Sequence, residues 1–213
     1  MTRYNMKTIT TPTGTARYCY LTNPSKGEYD SEYGTYRTEL ILDKADWDKL
    51  KAQVQPEYEA AYLAENTKQG KELKRANLPF VIDGEDHIVK LKMKAGGKRR
   101  DGTEYKLQVA LFDSQGNPMK GDDIVGGGSR IKIGMKMRFW YVAAHGFGMT
   151  LEPQGVQVLE LAAVGTSEKA TSYGFTAEEG GYTNGGETFE NTLDQPEPNA
   201  EETKQEAPLS ADF

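Results

Sequence analysis

The sequence is poor in cysteine, histidine and long apolar runs, and its last quarter is poor in almost everything that packs. Of 213 residues one is cysteine, Cys19. That excludes an intrachain disulfide and any zinc cage built on cysteine. The two histidines, His87 and His145, stand far apart and in no metal-ligand spacing. The longest apolar run, 139–144, falls far short of the ~20 residues that a membrane helix needs. Residues 1–15 hold no apolar stretch of the signal-peptide kind. A cytoplasmic protein with no membrane partner is expected. There is no G-x-S-x-G elbow, and the glycine run 126–130 lacks the spacing and the following helix of a phosphate loop. That run reads as a bend into the next strand. The expectation is a protein that is not an enzyme and carries no cofactor.

Residues 166–213 contain no Val, Ile, Met, Trp or Cys. Such a segment cannot bury enough apolar surface to offset the entropy of ordering it, so it is expected to be disordered. The charge divides at the same point. Residues 1–165 carry 24 basic and 21 acidic side chains, a net of +3, whereas 166–213 carry 2 and 11, a net of −9. A mildly basic body is followed by an acidic tail, a distribution that points to nucleic acid or to an interaction tail. Two regions are therefore expected, a folded domain over 1–165 and a tail over 166–213. The tail closes on Asp212 and Phe213, an aromatic ring beside a free carboxylate. That pair is suited to a partner's apolar pocket with a basic rim.

The body reads mostly as strands, with turn residues between them: 14–21, 34–42, 78–82, 87–94, 103–112, 131–143 and 149–161. Pro153 and Gly155 predict a break in the last. Between 43 and 75 the period changes. Asp43 reads as an N-cap, Trp47, Leu50 and Val54 fall on one helical face, and Pro56 suits the start of a second helix carrying Tyr58, Ala61 and Tyr62. The fold expected is mainly β: an OB-type Greek-key barrel with a helical insertion, the β-sandwich being the competing architecture.

Alternation sorts charge from apolar bulk in three strands. Val89, Leu91 and Met93 face one way, and Ile88, Lys90, Lys92 and Lys94 the other. In 103–112, Tyr105, Leu107, Val109 and Leu111 oppose Lys106, Gln108, Ala110 and Phe112. In the strand following Arg130, Ile131, Ile133, Met135, Met137, Phe139 and Tyr141 oppose Lys132, Gly134, Lys136, Arg138, Trp140 and Val142. The intervening hairpin adds Lys98, Arg99 and Arg100. From 87 to 138 there are 12 basic and 5 acidic residues, a net of +7. Concentrated cations beside aromatics are the apparatus for single-stranded nucleic acid: cations neutralise phosphates and rings stack on bases. On this reading Lys90, Lys92, Lys94, Lys106, Arg130, Lys132, Lys136 and Arg138 meet phosphates. Phe112 and Trp140 stack, and Lys98, Arg99 and Arg100 clamp. An ordinary solvated sheet face is the plain alternative for the lysines, and burial for the two rings. Alternation leaves Tyr18, Tyr20 and Tyr36 open between core and platform. Asp83, Glu85 and Asp86 are the right residue types for Mg²⁺ in a nuclease, though an acidic turn around Gly84 is the simpler account.

The stretch 124–161 resembles bacteriophage replicative single-stranded-DNA-binding proteins of the OB class. The matching parts are the Gly126–Ser129 bend, the basic-aromatic strand from Arg130 to Tyr141, and the ending Gly-Val-Gln-Val-Leu-Glu-Leu at 155–161. The acidic tail ending in Asp212 and Phe213 is similar to the tails of that class. The resemblance implies single-stranded DNA as partner, held in a groove of cations and aromatics during replication and recombination. It also implies a tail that recruits a polymerase, helicase or primase and competes with DNA for the groove, and a location in the cytoplasm of an infected bacterium. Self-association, the role of the helical insertion and preference between DNA and RNA stay open. A virion or assembly protein without DNA affinity is the rival class.

Overall fold

The computed structural model describes residues 8–28, 30–120 and 124–162. In chain order the elements are β1 (Thr8–Thr10), β2 (Gly14–Ser25), β3 (Thr35–Leu42), α1 (Lys44–Gln69), β4 (Phe80–Asp83), β5 (Asp86–Lys94), β6 (Gly96–Lys98), β7 (Glu104–Lys106), β8 (Ala110–Phe112), β9 (Arg130–Val142) and β10 (Gly146–Glu160). Pairing runs β2 to β3 to β5 to β10 to β9 and back to β2, so five strands close a ring. Every junction is antiparallel except β5 with β10, which is parallel through Leu91 and Leu151. A closed five-stranded Greek-key ring is the OB architecture, and closure removes the open edges that a sandwich would leave. Around the ring, β1 extends β9, β4 pairs with β5, and β8 lies parallel to the far end of β10. β6 and β7 form a separate hairpin.

The barrel interior is filled by the apolar halves of the alternating strands. Leu40, Val89, Leu91, Ile131, Ile133, Met135 and Leu151 are all at most 2% exposed. Ile88 departs from the expected alternation. It shares a face with Lys90, Lys92 and Lys94 yet is fully buried, because β4 and β3 flank it through Val81 and Ile41. In β10 the expected break is a register shift between Pro153 and Gly155 within one strand. Proline lacks the N–H that a regular ladder would use there, and a bulge accommodates it.

One helix stands where two were expected. Asp43 precedes it with extended backbone, and Gly70 ends it in the left-handed conformation at φ 65°. Pro56 lies inside, on the outer face, as does Ala52, whose carbonyl loses its partner to the proline ring and faces water instead. The buried set Trp47, Leu50, Val54, Tyr58, Ala61 and Tyr62 runs past the proline without a break and holds the helix to the barrel. Three polar tips fix that packing. Trp47 Nε1 donates to the Ile88 carbonyl at 3.1 Å, Tyr58 Oη to that of Phe147 at 3.4 Å and Tyr62 Oη to that of Leu73 at 2.8 Å.

The stretch 103–112 is likewise two short strands, not one. Residues 104–106 pair with β6 and residues 110–112 with β10. One stretch thus serves two partners and is broken between them. Leu107, expected inside, is 40% exposed at the break. The Gly126–Ser129 bend is a turn tied to β2: Gly128 N–H donates to the Ala16 carbonyl at 2.8 Å, and Ser129 Oγ accepts from Ala162 N–H at 3.0 Å.

Candidate nucleic-acid interface

A groove of about 1150 Å³ crosses the outer face of β2, β3 and β5 and reaches the end of β9 and the start of β10. Its floor is the polar half of the alternation. Lys90, Lys92 and Lys94 from β5 stand beside Arg37 and Glu39 from β3, and Asn77, Leu78 and Pro79 wall one side. Helix α1 contributes none of the lining residues; the segment that follows it does.

Three aromatic rings line the groove: Tyr18, Tyr20 and Trp140. Tyr18 and Tyr20 are 65% and 42% exposed, so both rings are open to a stacking partner. They reach the surface through an irregularity. The β2–β3 register shifts between Arg17 and Tyr20, and Tyr18 takes φ 50°, a left-handed conformation rare outside glycine. Strain of this kind persists where the surroundings enforce it, and it collects at binding sites. Each ring has a guanidinium over it: Arg17 at 5.4 Å from the Tyr18 centroid and Arg37 at 5.1 Å from that of Tyr20. Trp140 is half-buried, with Nε1 donating to Thr150 Oγ1 at 3.1 Å. Tyr36 is core, 5% exposed.

The cations are in two states. Lys90 Nζ lies 3.2 Å from Glu39 Oε1, and Arg138 is paired with Glu152. Lys92 and Lys94 have no acidic partner among the described residues, and Lys92 stands directly opposite Arg37 across β3 and β5. Like charges placed opposite each other destabilise a sheet. Arg37 also feels the Asp30 carboxylate, which lines the same groove, so Lys92 and Lys94 are the cations there without an acidic partner among the described residues, and they make this concave face attractive to anions. Although burial works against it, Glu39 is held below the usual carboxylate range by hydrogen bonds from Arg17 and Lys90.

Of the sequence-derived candidates, the groove gathers Lys90, Lys92, Lys94, Arg138 and Trp140. Lys98, Arg99, Arg100 and Lys106 sit on the β6–β7 hairpin, which continues from the end of β5. There Lys98 is 3.5 Å from Glu104, and Arg99 lies 5.9 Å from the Tyr105 centroid. Lys132 lines a smaller pocket with Asp46, Lys49 and Gln53, and Lys136 lies between Thr8 and Glu152 in the ladder. Arg130 is 3.8 Å from Glu160. Phe112 is half-buried at the end of β8, paired with Gln157 of β10 and away from the groove. Asp212 and Phe213 lie outside the described residues. Arg37 was missed; its one signal is its place two residues from Glu39 on a strand of alternating burial. Asp83 and Asp86 turn toward Arg17, at 3.0 and 3.6 Å. Among the described residues no group of three acidic, histidine or cysteine side chains is arranged to hold a metal ion.

A closed barrel with a groove of cations and exposed rings defines the class of OB-fold proteins. The particular family follows from comparison. The chain belongs to the family described as Single-stranded DNA-binding protein, Bacteriophage T7, whose model matches residues 13–161. It is 26% identical over 205 residues to the single-stranded DNA-binding protein of Enterobacteria phage T3, covering 86% of this chain and 88% of that one. The solved structure of gp2.5, a single-stranded DNA-binding protein encoded by bacteriophage T7, superposes with a TM-score of 0.66 at 25% identity, covering 84% of this chain and 98% of that one. The C-terminally truncated single-stranded DNA-binding protein of bacteriophage Enc34 shares the fold, with a TM-score of 0.52 at 12% identity over 73% of this chain and 87% of that one.

Proposed function

We propose that this protein binds single-stranded DNA without strong sequence preference and protects it during replication and recombination. The observation that carries this reading is the juxtaposition of Lys92, Lys94 and Arg37 with the exposed rings of Tyr18 and Tyr20 on one concave face. Phosphates meet the cations and bases lie on the rings, with Trp140 extending the platform. The surface tolerates sequence because every base has a π-face. No bond is made or broken, and no cofactor is needed.

Residues 1–165 form the DNA-binding region, and the acidic segment 166–213 recruits a polymerase, helicase or primase through Asp212 and Phe213. A segment with a net charge of −9 also competes with DNA for the basic groove at short range. The hairpin cations Lys98, Arg99 and Arg100, with Lys106, take up strand leaving the groove beyond Lys94. Arg130, Lys132 and Lys136 offer phosphate contacts along β9. The protein acts in the cytoplasm of an infected bacterium.

The test is fluorescence anisotropy of labelled oligo-dT and its duplex, with the full chain and with a truncation after residue 165, at low and moderate salt. Salt-sensitive binding that prefers the single strand, and that tightens without the tail, is the expected result. A defined oligomer with no DNA affinity at moderate salt would instead support the assembly-protein alternative. An oligo-U arm separates DNA from RNA preference.

A further inference from the structure

The three lysines of β5 look equivalent in sequence and are not equivalent in the groove. Lys92 faces Arg37 across the ladder and Lys94 faces Thr35, whereas Lys90 faces Glu39. The Glu39 carboxylate is gripped from both sides. Arg17 donates to Oε2 from Nε at 2.8 Å and from Nη2 at 2.7 Å, and Lys90 Nζ lies 3.2 Å from Oε1. Glu39 keeps 18% of its side chain exposed and lines the groove beside Lys90. Arg17 has further anchors on Asp83 and Asp86 and does not line the groove.

We infer that Glu39 is a built-in brake on DNA affinity, which withholds Lys90 from the phosphate backbone and confines backbone contact to the Arg37–Lys92–Lys94 half of the groove. The inference rests on the groove being the DNA site. Its physical basis is counterion release. The counterions are cations condensed on the DNA, and a lysine whose charge is already cancelled by a carboxylate brings no net charge to a phosphate and so displaces few of them. Repulsion between Glu39 and a phosphate adds to the effect, and it divides the groove lengthwise. Backbone runs along Lys92 and Lys94, while the side near Glu39 and Tyr18 is left for bases, which carry no charge. The carboxylate is ionised throughout the neutral range, because Arg17 and Lys90 hold it below the ordinary carboxylate range.

The experiment is the slope of log affinity against log salt for oligo-dT, measured with the full chain carrying Lys90→Gln, Lys92→Gln, Lys94→Gln or Glu39→Gln. Lys92→Gln and Lys94→Gln are expected each to flatten the slope by about 0.7, the value of one single-strand phosphate contact. Lys90→Gln is expected to leave the slope nearly unchanged. Glu39→Gln is expected to steepen it by about 0.7, and the added Lys90→Gln change should cancel that gain. If Lys90→Gln flattens the slope as much as Lys92→Gln does, the brake is overturned while the groove stands. If none of the three lysine variants alters a slope that the parent protein shows, the groove itself is the wrong site, and the inference falls with it. The lysine series decides the matter even if Glu39→Gln fails to fold.

Discussion

The indole of Trp140 lies across Gly148, its antiparallel partner on β10, and is pinned there by the hydrogen bond from Nε1 to Thr150. A methyl group at position 148 would occupy the space of the six-membered ring. Gly148→Ala is therefore expected to push the indole off its seat without unfolding the barrel. If Trp140 stacks on a base, the variant should lose roughly 1–3 kcal/mol of oligo-dT affinity. A shift in Trp140 emission without loss of DNA affinity would assign the ring a packing role alone. Trp47, 6% exposed against β5, serves as the internal reference in Trp140→Phe.

The tyrosines are expected to divide by exposure. Tyr18→Ala and Tyr20→Ala should each weaken oligo-dT binding by roughly 1–3 kcal/mol with little change in thermal midpoint. Tyr36→Ala removes a buried ring and should cost about 3–5 kcal/mol of stability. Denaturant unfolding and anisotropy on the same three variants check the division. Loss of stability in the first two would mean that those rings pack.

The β6–β7 hairpin begins where β5 leaves the groove, so its cations should matter only to strands long enough to reach them. Replacing Lys98, Arg99 and Arg100 together with Gln is expected to weaken binding of a long oligo-dT and to spare one that just fills the groove. Equal loss with both lengths would place the hairpin in the primary site.

Several carboxylates are held below their ordinary range by hydrogen bonds. Asp30 accepts from the Gly27 backbone and from Ser25, Asp113 from Asn117 and neighbouring amides, and Glu59 from Arg75. A depressed folded-state value means that the unfolded chain binds protons more readily. The stabilisation is then fully present above the unfolded carboxylate range and is lost as pH falls through the folded values. Stability should be level from neutral pH down to about 5 and decline below about 4. Asp113→Asn should make that decline shallower in an acid titration followed by circular dichroism. An unchanged acid limb would show that this turn is equally ordered in the unfolded chain.

What was legible in the sequence was the strictly alternating part. Val89, Leu91 and Met93 are buried and Lys90, Lys92 and Lys94 exposed, as a regular strand dictates, and β9 alternates in the same sense from Arg130 to Arg138, beyond which Phe139, Trp140 and Tyr141 are all half-buried. What was not legible depends on register and on departures from it. The surface position of Tyr18 comes from an irregular pairing of β2 with β3, which alternation cannot reveal. The neutralisation of Lys90 needs Glu39 opposite it, and the unsatisfied state of Lys92 needs Arg37, both set by a pairing between distant stretches. The single helix escaped notice because Pro56 is a start signal as readily as a tolerated interior residue on a wet face.

The closure of the ring through β10 governs the order in which the molecule can be made. β2, β3 and β5 precede the others and are neighbours in the sheet, so the face that carries the groove can pair early in translation. β5 and β9 each need β10, the final strand of the ring to leave the ribosome, before their remaining edges are covered. A nascent chain arrested ahead of position 146 would display the groove's cations on an open meander, with β5 bare beyond its pairing with β4. Such a product can touch nucleic acid yet is prone to edge-to-edge association. Completion of one strand thus separates a sticky intermediate from a working protein.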